Sequence, residues 1–393
     1  MQSEAKRKSG WLWRWTKRFF VTIAALVLML IGAGAIYQSV ATGQDARKYP
    51  PPGKMVDVGG FKMHLNCVGE GSPTVVLDNG LHFGSFGWSN VPQEIAKFTR
   101  VCTFDRAGVG WSEASPAGRG INQVNIELHD LLTNAGEQKP FILAGHSIGG
   151  FYAQNYANDY ANEVAGVVLI DASHGEQITS DPPPIKLARY AKITAPIGIF
   201  RLMSRASPDD SHEIKERKAL QSSTKHLYAT ADEIFAVEEN SRILREKPMQ
   251  LNDKPLIVLT RSLKTQPDDT EEDLRANENW KEMQKNLARR STNSKHIFAE
   301  KAGHVIQRDE PELVVNAIIR ELEGRYDMRE ALGRDIAGVY VALGKNDQAF
   351  AWLEKDFQIR SGDLSTITWY PTFDSLRNDP RYADLLRRMN LLQ

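Results

Sequence analysis

Apolar positions fall into three patterns along the chain. Phe19 to Tyr37, "FFVTIAALVLMLIGAGAIY", carries no charge, and its length approaches the roughly 20 residues a helix needs to cross a bilayer's hydrocarbon core. The run reads as a transmembrane anchor, with a linker over 38–53 that ends in the proline-rich "KYPPPG". The pattern then shortens to the β-rich runs "KMVDVGG", "FKMHLNCVG", "TVVLDNG" and "RVCTFDRAG", each bounded by glycine. Helical spacing takes over from Asn122 to Ala135, with Ile126, Leu128, Leu131 and Leu132 apolar, before "PFILAG" returns to strand. Continuous apolar runs recur in "VAGVVLI" at 164–170 and "PLIVLT" at 255–260. Strands alternating with helices predict an α/β domain, with a doubly wound, mostly parallel sheet covered on both faces.

Two stretches break that rhythm. Residues 171 to 254 are mostly helical in character and too long for a connection, which predicts an inserted helical cap at about 172–253. The main domain then closes near 324. Beyond it, "IAGVYVALGKNDQAFAWLEKDF" sets Leu343 and Gly344 between two helical patterns. This 325–393 extension resembles one tetratricopeptide-type helical hairpin and is a candidate surface for a protein partner; a helical extension packed on the main domain is the alternative.

Charge changes the picture only at the start. With 49 basic and 49 acidic residues among 393, nothing overall favours nucleic acid as a partner. Yet Lys6, Arg7, Lys8, Arg14, Lys17 and Arg18 crowd into residues 1–18 against the single acid Glu4. Such a cluster predicts a cytoplasmic N-terminus and an extracytoplasmic remainder, with Trp11, Trp13 and Trp15 at headgroup level. A cleaved signal peptide is the rival, since Ala33/Ala35 and Ser39/Ala41 form small-x-small pairs; both readings export the rest. An exported Cys67 and Cys102 are permitted a disulfide, although their spacing leaves two buried thiols equally open.

The candidate chemistry centres on "FILAGHSIGGFY". Gly145-His146-Ser147-Ile148-Gly149 matches G-x-S-x-G between a strand and a helix, where small neighbours let the two approach around a strained serine. The helix N-terminus then favours negative charge beside that serine. A serine hydroxyl needs a base, and His304 in "EKAGHVIQRDEPELV", beyond the last strand-like segment, is the best candidate. His146 is expected to point away from the serine. His64 lies within an early strand; His129, His212 and His226 read as helical and exposed, and His82 and His174 as structural or substrate-facing.

From about Gly53 to Glu323 the chain resembles the α/β-hydrolase superfamily, on "FDRAGVGWS" at 104–112, "GHSIGG" and "AGHVIQRDEPELV". The resemblance implies an eight-stranded, mostly parallel sheet with strands two and four adjacent, bringing Cys67 beside Cys102. It also implies an oxyanion hole from the backbone N–H groups of Ile148 and Leu81, with Asn79-Gly80 where many relatives carry His-Gly. Phe83, Phe86 and Trp88 are then expected to line an acyl pocket. For the acid, relatives commonly use an aspartate after strand seven, where this chain offers only Asp268 and Asp269, eight and nine residues after Thr260. Asp171, directly after strand six, is the preferred alternative.

The resulting expectation is a serine hydrolase of the carboxylesterase or lipase-like kind. Ser147 is nucleophile, His304 base and Asp171 orienting acid, acting on a small-molecule ester, thioester or amide, for which the anchor suggests a lipid-derived source. A carbon–carbon bond hydrolase and a non-catalytic binding protein remain as alternatives. Serine at the elbow argues against dehalogenase and epoxide-hydrolase chemistry. The chemistry calls for no cofactor, and the sequence shows no metal-spaced histidine or cysteine cluster.

Overall fold

A computed structural model describes residues 2–177, 184–262 and 270–323 and, of the C-terminal stretch, 337–338, 340–341, 344–358, 364, 367–368 and 371–391. Eight strands form one sheet in the order β1-β2-β4-β3-β5-β6-β7-β8. They are β1 (Lys54–Asp57), β2 (Lys62–Val68), β3 (Thr74–Asp78), β4 (Val101–Phe104), β5 (Phe141–His146), β6 (Val164–Ile170), β7 (Leu256–Arg261) and β8 (Ser294–Ala299). Only β1 and β2 run antiparallel to their neighbours. From β4 onward every pairing is parallel.

Because side chains alternate across a strand, an unbroken apolar run such as "VAGVVLI" supplies both faces at once. Val76, Leu143, Val167, Leu169 and Val258 build a core on one face, and Val75, Leu77, Ile142, Val168, Ile170 and Leu259 build one on the other. The helices that complete these layers follow the chain: α1 (Gln2–Lys48), α2 (Val91–Ile95), α3 (Ile121–Ala135) and α4 (Gly149–Asp159). On the first face lie Leu128 and Leu131 of α3 and Tyr156 of α4; on the second lie Val91 and Ile95 of α2. The spacing that predicted α3 ends at Gly136, whose φ of 77° closes the helix in the left-handed region.

Between β6 and β7 the inserted cap consists of α5 (Ile185–Thr194), α6 (Ile199–Met203), α7 (His212–Gln221) and α8 (Thr224–Glu246). Then come α9 (Glu271–Ala288), α10 (Ile306–Asp309) and α11 (Pro311–Glu323), the last packing Val314, Val315 and Ile318 into the second face. In the C-terminal stretch α12 (Asn346–Gln358) and α13 (Pro380–Arg388) share a separate core that includes Phe350, Leu353, Tyr382 and Leu385. Gly344 turns with φ 67°, while Leu343 lies outside the described residues.

The first helix differs from its sequence pattern. Residues 38–48, expected within a linker, continue α1 unbroken to Lys48. No proline interrupts before Pro50, and Gln38, Thr42 and Asp45 recur at helical spacing on one face. All three meet the buried guanidinium of Arg201 in the middle of the cap's α6: Gln38 Oε1 accepts from Nε at 2.9 Å, Thr42 Oγ1 from Nη2 at 3.2 Å, and Asp45 from Nη1. The helix therefore joins the domain through the cap. It is long and apolar enough from Trp13 onward to cross a membrane.

Cys67 and Cys102 face each other across β2 and β4 and are joined in a disulfide. It closes a loop with a sequence separation of 35 residues, for which chain entropy gives roughly 2–4 kcal/mol. A Cys67→Ser/Cys102→Ser protein is therefore expected to lose about that much stability, read as a lower thermal midpoint than the oxidised wild type; equal midpoints would refute the assignment.

Candidate active site

The site lies at the carboxyl ends of β3, β5, β6 and β8. After β5 the chain turns sharply, leaving Ser147 with φ 53°, a left-handed conformation that costs a non-glycine residue free energy and survives only where its surroundings enforce it. The enforcement is visible in the glycines. A Cβ on Gly145 would meet the Gly149 carbonyl oxygen at 2.6 Å, one on Gly149 would strike the backbone of Asp78, and one on Gly150 would strike Ala172. Ser147 N–H donates to the Ile170 carbonyl at 3.1 Å, and its own carbonyl accepts from Gly150 and Ser173, both at 2.9 Å.

Ser147, His304 and Asp171 come together in one line. His304 Nε2 lies 3.0 Å from Ser147 Oγ, and His304 Nδ1 lies 2.6 Å from Asp171 Oδ2. Asp171 is fully buried with φ 42°. Its Oδ2 also accepts from Arg261 Nη1 at 2.8 Å, while Oδ1 accepts from Arg261 N–H at 3.1 Å and Trp280 Nε1–H at 2.8 Å. Burial pushes its carboxyl upward, but the hydrogen bond from His304 and the Arg261 charge outweigh it and hold the group below the usual carboxylate range. Asp268 and Asp269, the competing acids, lie outside the described residues.

Arg261 and Trp280 were not anticipated from sequence, although one signal was available. The β6–β7 register sets Ile170 opposite Leu259, so the residue after β6 sits beside the end of β7. "PLIVLTR" therefore carries an arginine into the place where an aspartate was sought. Its guanidinium stacks over the Trp280 ring at 4.6 Å. The carboxylate that contacts His304 thus follows β6 rather than β7, and an arginine stands at the end of β7.

Of the two expected oxyanion donors, neither the Ile148 nor the Leu81 N–H has a partner among the described residues. Leu81 packs against the cluster containing Ile148, Phe151 and Tyr152. The preceding loop is gripped by Arg106, only 2% exposed, which donates to the carbonyls of Asn79 at 2.7 Å and Gly80 at 3.1 Å, to Asp78, and through two nitrogens to Glu233 on the cap's α8. In a trans peptide the C=O and N–H point opposite ways. Holding the Gly80 carbonyl towards Arg106 thus turns the Leu81 N–H away from it.

Four other histidines have defined places in the structure. His146 points away from the Ser147 hydroxyl as expected, and its Nε2–H donates to the His304 carbonyl at 2.8 Å, steadying the loop that carries His304. Burial, and then the nearby His304 charge, lower its pKa to about 3. His174 bonds Asn286 and the Glu176 N–H through its two ring nitrogens, a structural role. His226, expected on an exposed helical face, is fully buried; its Nδ1 accepts from Gly110 N–H at 3.0 Å and its ring meets His82 edge-on at 4.7 Å. The α8 face that looked solvent-directed in sequence lies against the main domain at Gly110 and His82.

Among the expected pocket residues, Phe83 is half-buried on the Gly80 turn, its N–H donating to the Gly80 carbonyl at 3.2 Å. Phe86 is also half-buried and meets Trp111 edge-on at 6.4 Å. Trp88 does not line a pocket. It is fully buried in the second core layer with Val91 and Ile95, because the short turn over 85–88 directs it beneath the sheet rather than over the serine.

This combination of a sheet with two antiparallel edge strands, a strained serine after the fifth strand and a histidine loop after the eighth defines a class. The family model described as alpha/beta hydrolase family matches residues 75–317, and the chain belongs to that family. Among curated proteins it resembles the uncharacterized protein YbdG of Bacillus subtilis, 29% identical over 201 residues, covering 50% of this chain and 62% of that protein. It also resembles YqjL of the same organism, 25% identical over 275 residues, covering 70% and 90% respectively. A solved probable hydrolytic enzyme from Pseudomonas aeruginosa superposes with a TM-score of 0.54 at 20% identity, over 70% of this chain and 95% of that one; at that identity the likeness speaks to the fold.

Two outcomes follow from these geometries. An Arg261→Met protein leaves Asp171 without the Nη1 donor and Trp280 without its stacked guanidinium, while the backbone N–H at 261 remains, and turnover should fall roughly tenfold, as a loss of ~1.4 kcal/mol implies, with KM little changed in steady-state kinetics. At Asp78, burial first, then Glu233, push the carboxyl up to about 6 against the opposing pull of Arg106. The folded state therefore holds that proton more tightly than the unfolded chain, so the stabilisation present below pH ~4 is lost as pH rises towards 6. The stability of wild type minus that of Asp78→Asn should fall by up to ~3 kcal/mol over that window in denaturation experiments; a constant difference would show that Asp78 does not titrate there.

Proposed function

We propose that this chain is a serine hydrolase cleaving a carboxylic ester, thioester or amide, with Ser147 as nucleophile, His304 as base and Asp171 as the orienting acid. The observation that carries this reading is the pair of contacts on His304, 3.0 Å to Ser147 Oγ and 2.6 Å to Asp171 Oδ2. In acylation the Ser147 oxygen bonds to the acyl carbon while its proton passes to His304 Nε2. The developing oxyanion takes the Ile148 and Leu81 N–H groups, and the leaving group departs with the proton from His304. Water, deprotonated by the same histidine, then releases the acid. Asp171, kept ionised by its donors, balances the imidazolium charge. Phe83, beside the oxyanion turn, contacts the acyl chain in this reading.

The N-terminal helix is proposed as a membrane anchor with residues 1–18 cytoplasmic and the catalytic domain on the far side. The basic cluster before the apolar run supports this orientation. A disulfide in the catalytic domain agrees with an oxidising compartment.

Labelling of the full chain by a fluorophosphonate probe tests the chemistry. Wild type should label; Ser147→Ala should abolish labelling, and His304→Ala and Asp171→Asn should each slow it by about 10³–10⁴. Undiminished labelling of a folded Ser147→Ala protein would sink the assignment.

A further inference from the structure

Outside α1, the cap carries a dense patch of exposed apolar side chains: Leu187, Tyr190 and Ile193 on α5, and Ile199, Leu202 and Met203 on α6. Met203 is 80% and Ile193 70% exposed. Clustered apolar exposure of this kind marks an interaction surface, and three observations identify what covers it.

The first is level. The turn between α5 and α6 lies directly against α1: a Cβ on Gly34 would meet the Ile197 carbonyl oxygen at 2.6 Å, and one on Gly198 would meet the Tyr37 ring at 3.2 Å. Gly34 is three residues inside the apolar run that ends at Tyr37, or about 4.5 Å at 1.5 Å per residue. Ile193 and Ile199 flank that turn, at a depth matching the roughly 5–10 Å to which interfacial helices bury their apolar faces.

The second is charge. Residues 184–206 contain Lys186, Arg189, Lys192, Arg201 and Arg205 and no acid. Arg201 is committed to α1 and Lys192 to Asp232, whereas Lys186, Arg189 and Arg205 are exposed. Cations bordering an apolar patch suit anionic headgroups.

The third is the way inward. The opposite side of α5, through Ile185 and Ala188, packs with Ala231 and Ile234 of α8 and with Leu81 of the oxyanion loop. A single helix thus separates the exposed patch from the site.

We propose that the outer face of α5 and α6 lies in the headgroup–acyl boundary of the leaflet into which α1 emerges, and that the substrate is a lipid ester reaching Ser147 from that leaflet. This rests on the reading of α1 as a membrane span. Helix α1 continues without a break from the apolar run to its Arg201 anchorage, so the height of the cap is set by the span itself. The partner is a bilayer containing anionic lipid, and the substrate class is an amphiphile whose chains are already dissolved there.

The test uses the full chain in vesicles of phosphatidylcholine and phosphatidylglycerol. Both native cysteines are joined in the disulfide, so a single introduced cysteine accepts an environment-sensitive fluorophore. Probes at Ile193→Cys and Met203→Cys should be quenched by a nitroxide at a shallow acyl position as strongly, within about twofold, as one at Ile36→Cys, while Ala117→Cys stays unquenched. Quenching at Leu28→Cys by a deep nitroxide, with Ile193→Cys and Met203→Cys behaving like Ala117→Cys, would overturn the proposal and leave the span intact. No quenching at Leu28→Cys would remove both. In kinetics, a Leu202→Glu/Met203→Glu protein should show at least a fivefold higher KM for a vesicle-borne long-chain ester and unchanged kcat/KM for a water-soluble short-chain ester. Equal KM values on the vesicle-borne ester would refute delivery from the leaflet.

Discussion

The buried Arg106 guanidinium is the contact on which the architecture of this site depends. It reaches the last residue of β3, the two carbonyls that follow it and the cap's Glu233. The sheet, the turn after β3 and the cap therefore share one cation. Burying a guanidinium is expensive unless its donors are satisfied and its charge is matched, and here two carboxylates and two backbone carbonyls do both. The Tyr152 ring, with its centroid 5.1 Å from the guanidinium carbon, adds a further apolar wall. Removing one carboxylate would leave a charge with no water to turn to, which makes this cluster a determinant of fold as much as of site geometry.

The catalytic line has a different logic. Ser147 and Asp171 both occupy left-handed backbone, and each is held there by neighbours that admit no alternative: the glycines around the elbow, and the strand ends of β6 and β7 beside the acid. Strain of this kind needs rigid support, and the supporting parts, Gly145, Gly149, Gly150, the end of β6 and β7 as far as Thr260, are buried. His304 is the more open member, its side chain 45% exposed against a fully buried Asp171. His146, beside the nucleophile in sequence, fastens that loop from behind.

Legibility in the sequence followed the range of the interactions. Gly145 to Gly150 could be read because the steric requirement is local, and the sheet could be read because an apolar strand run needs two covered faces. Asp171 was readable as a strand-end carboxylate. What stabilises it was not, since Trp280 lies 109 residues away and Arg261 becomes a neighbour only through the β6–β7 register. Glu233 is 127 residues from Arg106 and sits mid-helix with nothing local to mark it. The helical run 38–48 was misread for a related reason: its polar residues look like linker until Arg201, more than 150 residues on, gives them a partner. Trp88 shows the opposite error, an aromatic near a site whose only role is to fill the core.

A helix without a joint also works as a ruler. In a flexible tether, adding or losing a residue changes little; in α1, each residue inserted between the apolar run and Gln38 would lift the domain by about 1.5 Å and swing it by about 100°. Gln38, Thr42 and Asp45 would then leave Arg201 together. Away from Gly34 and Tyr37, which pack against the α5–α6 turn, the apolar run can change composition so long as it stays apolar, whereas its spacing to Gln38 cannot change, so variation in this segment should appear as substitution and hardly ever as insertion or deletion.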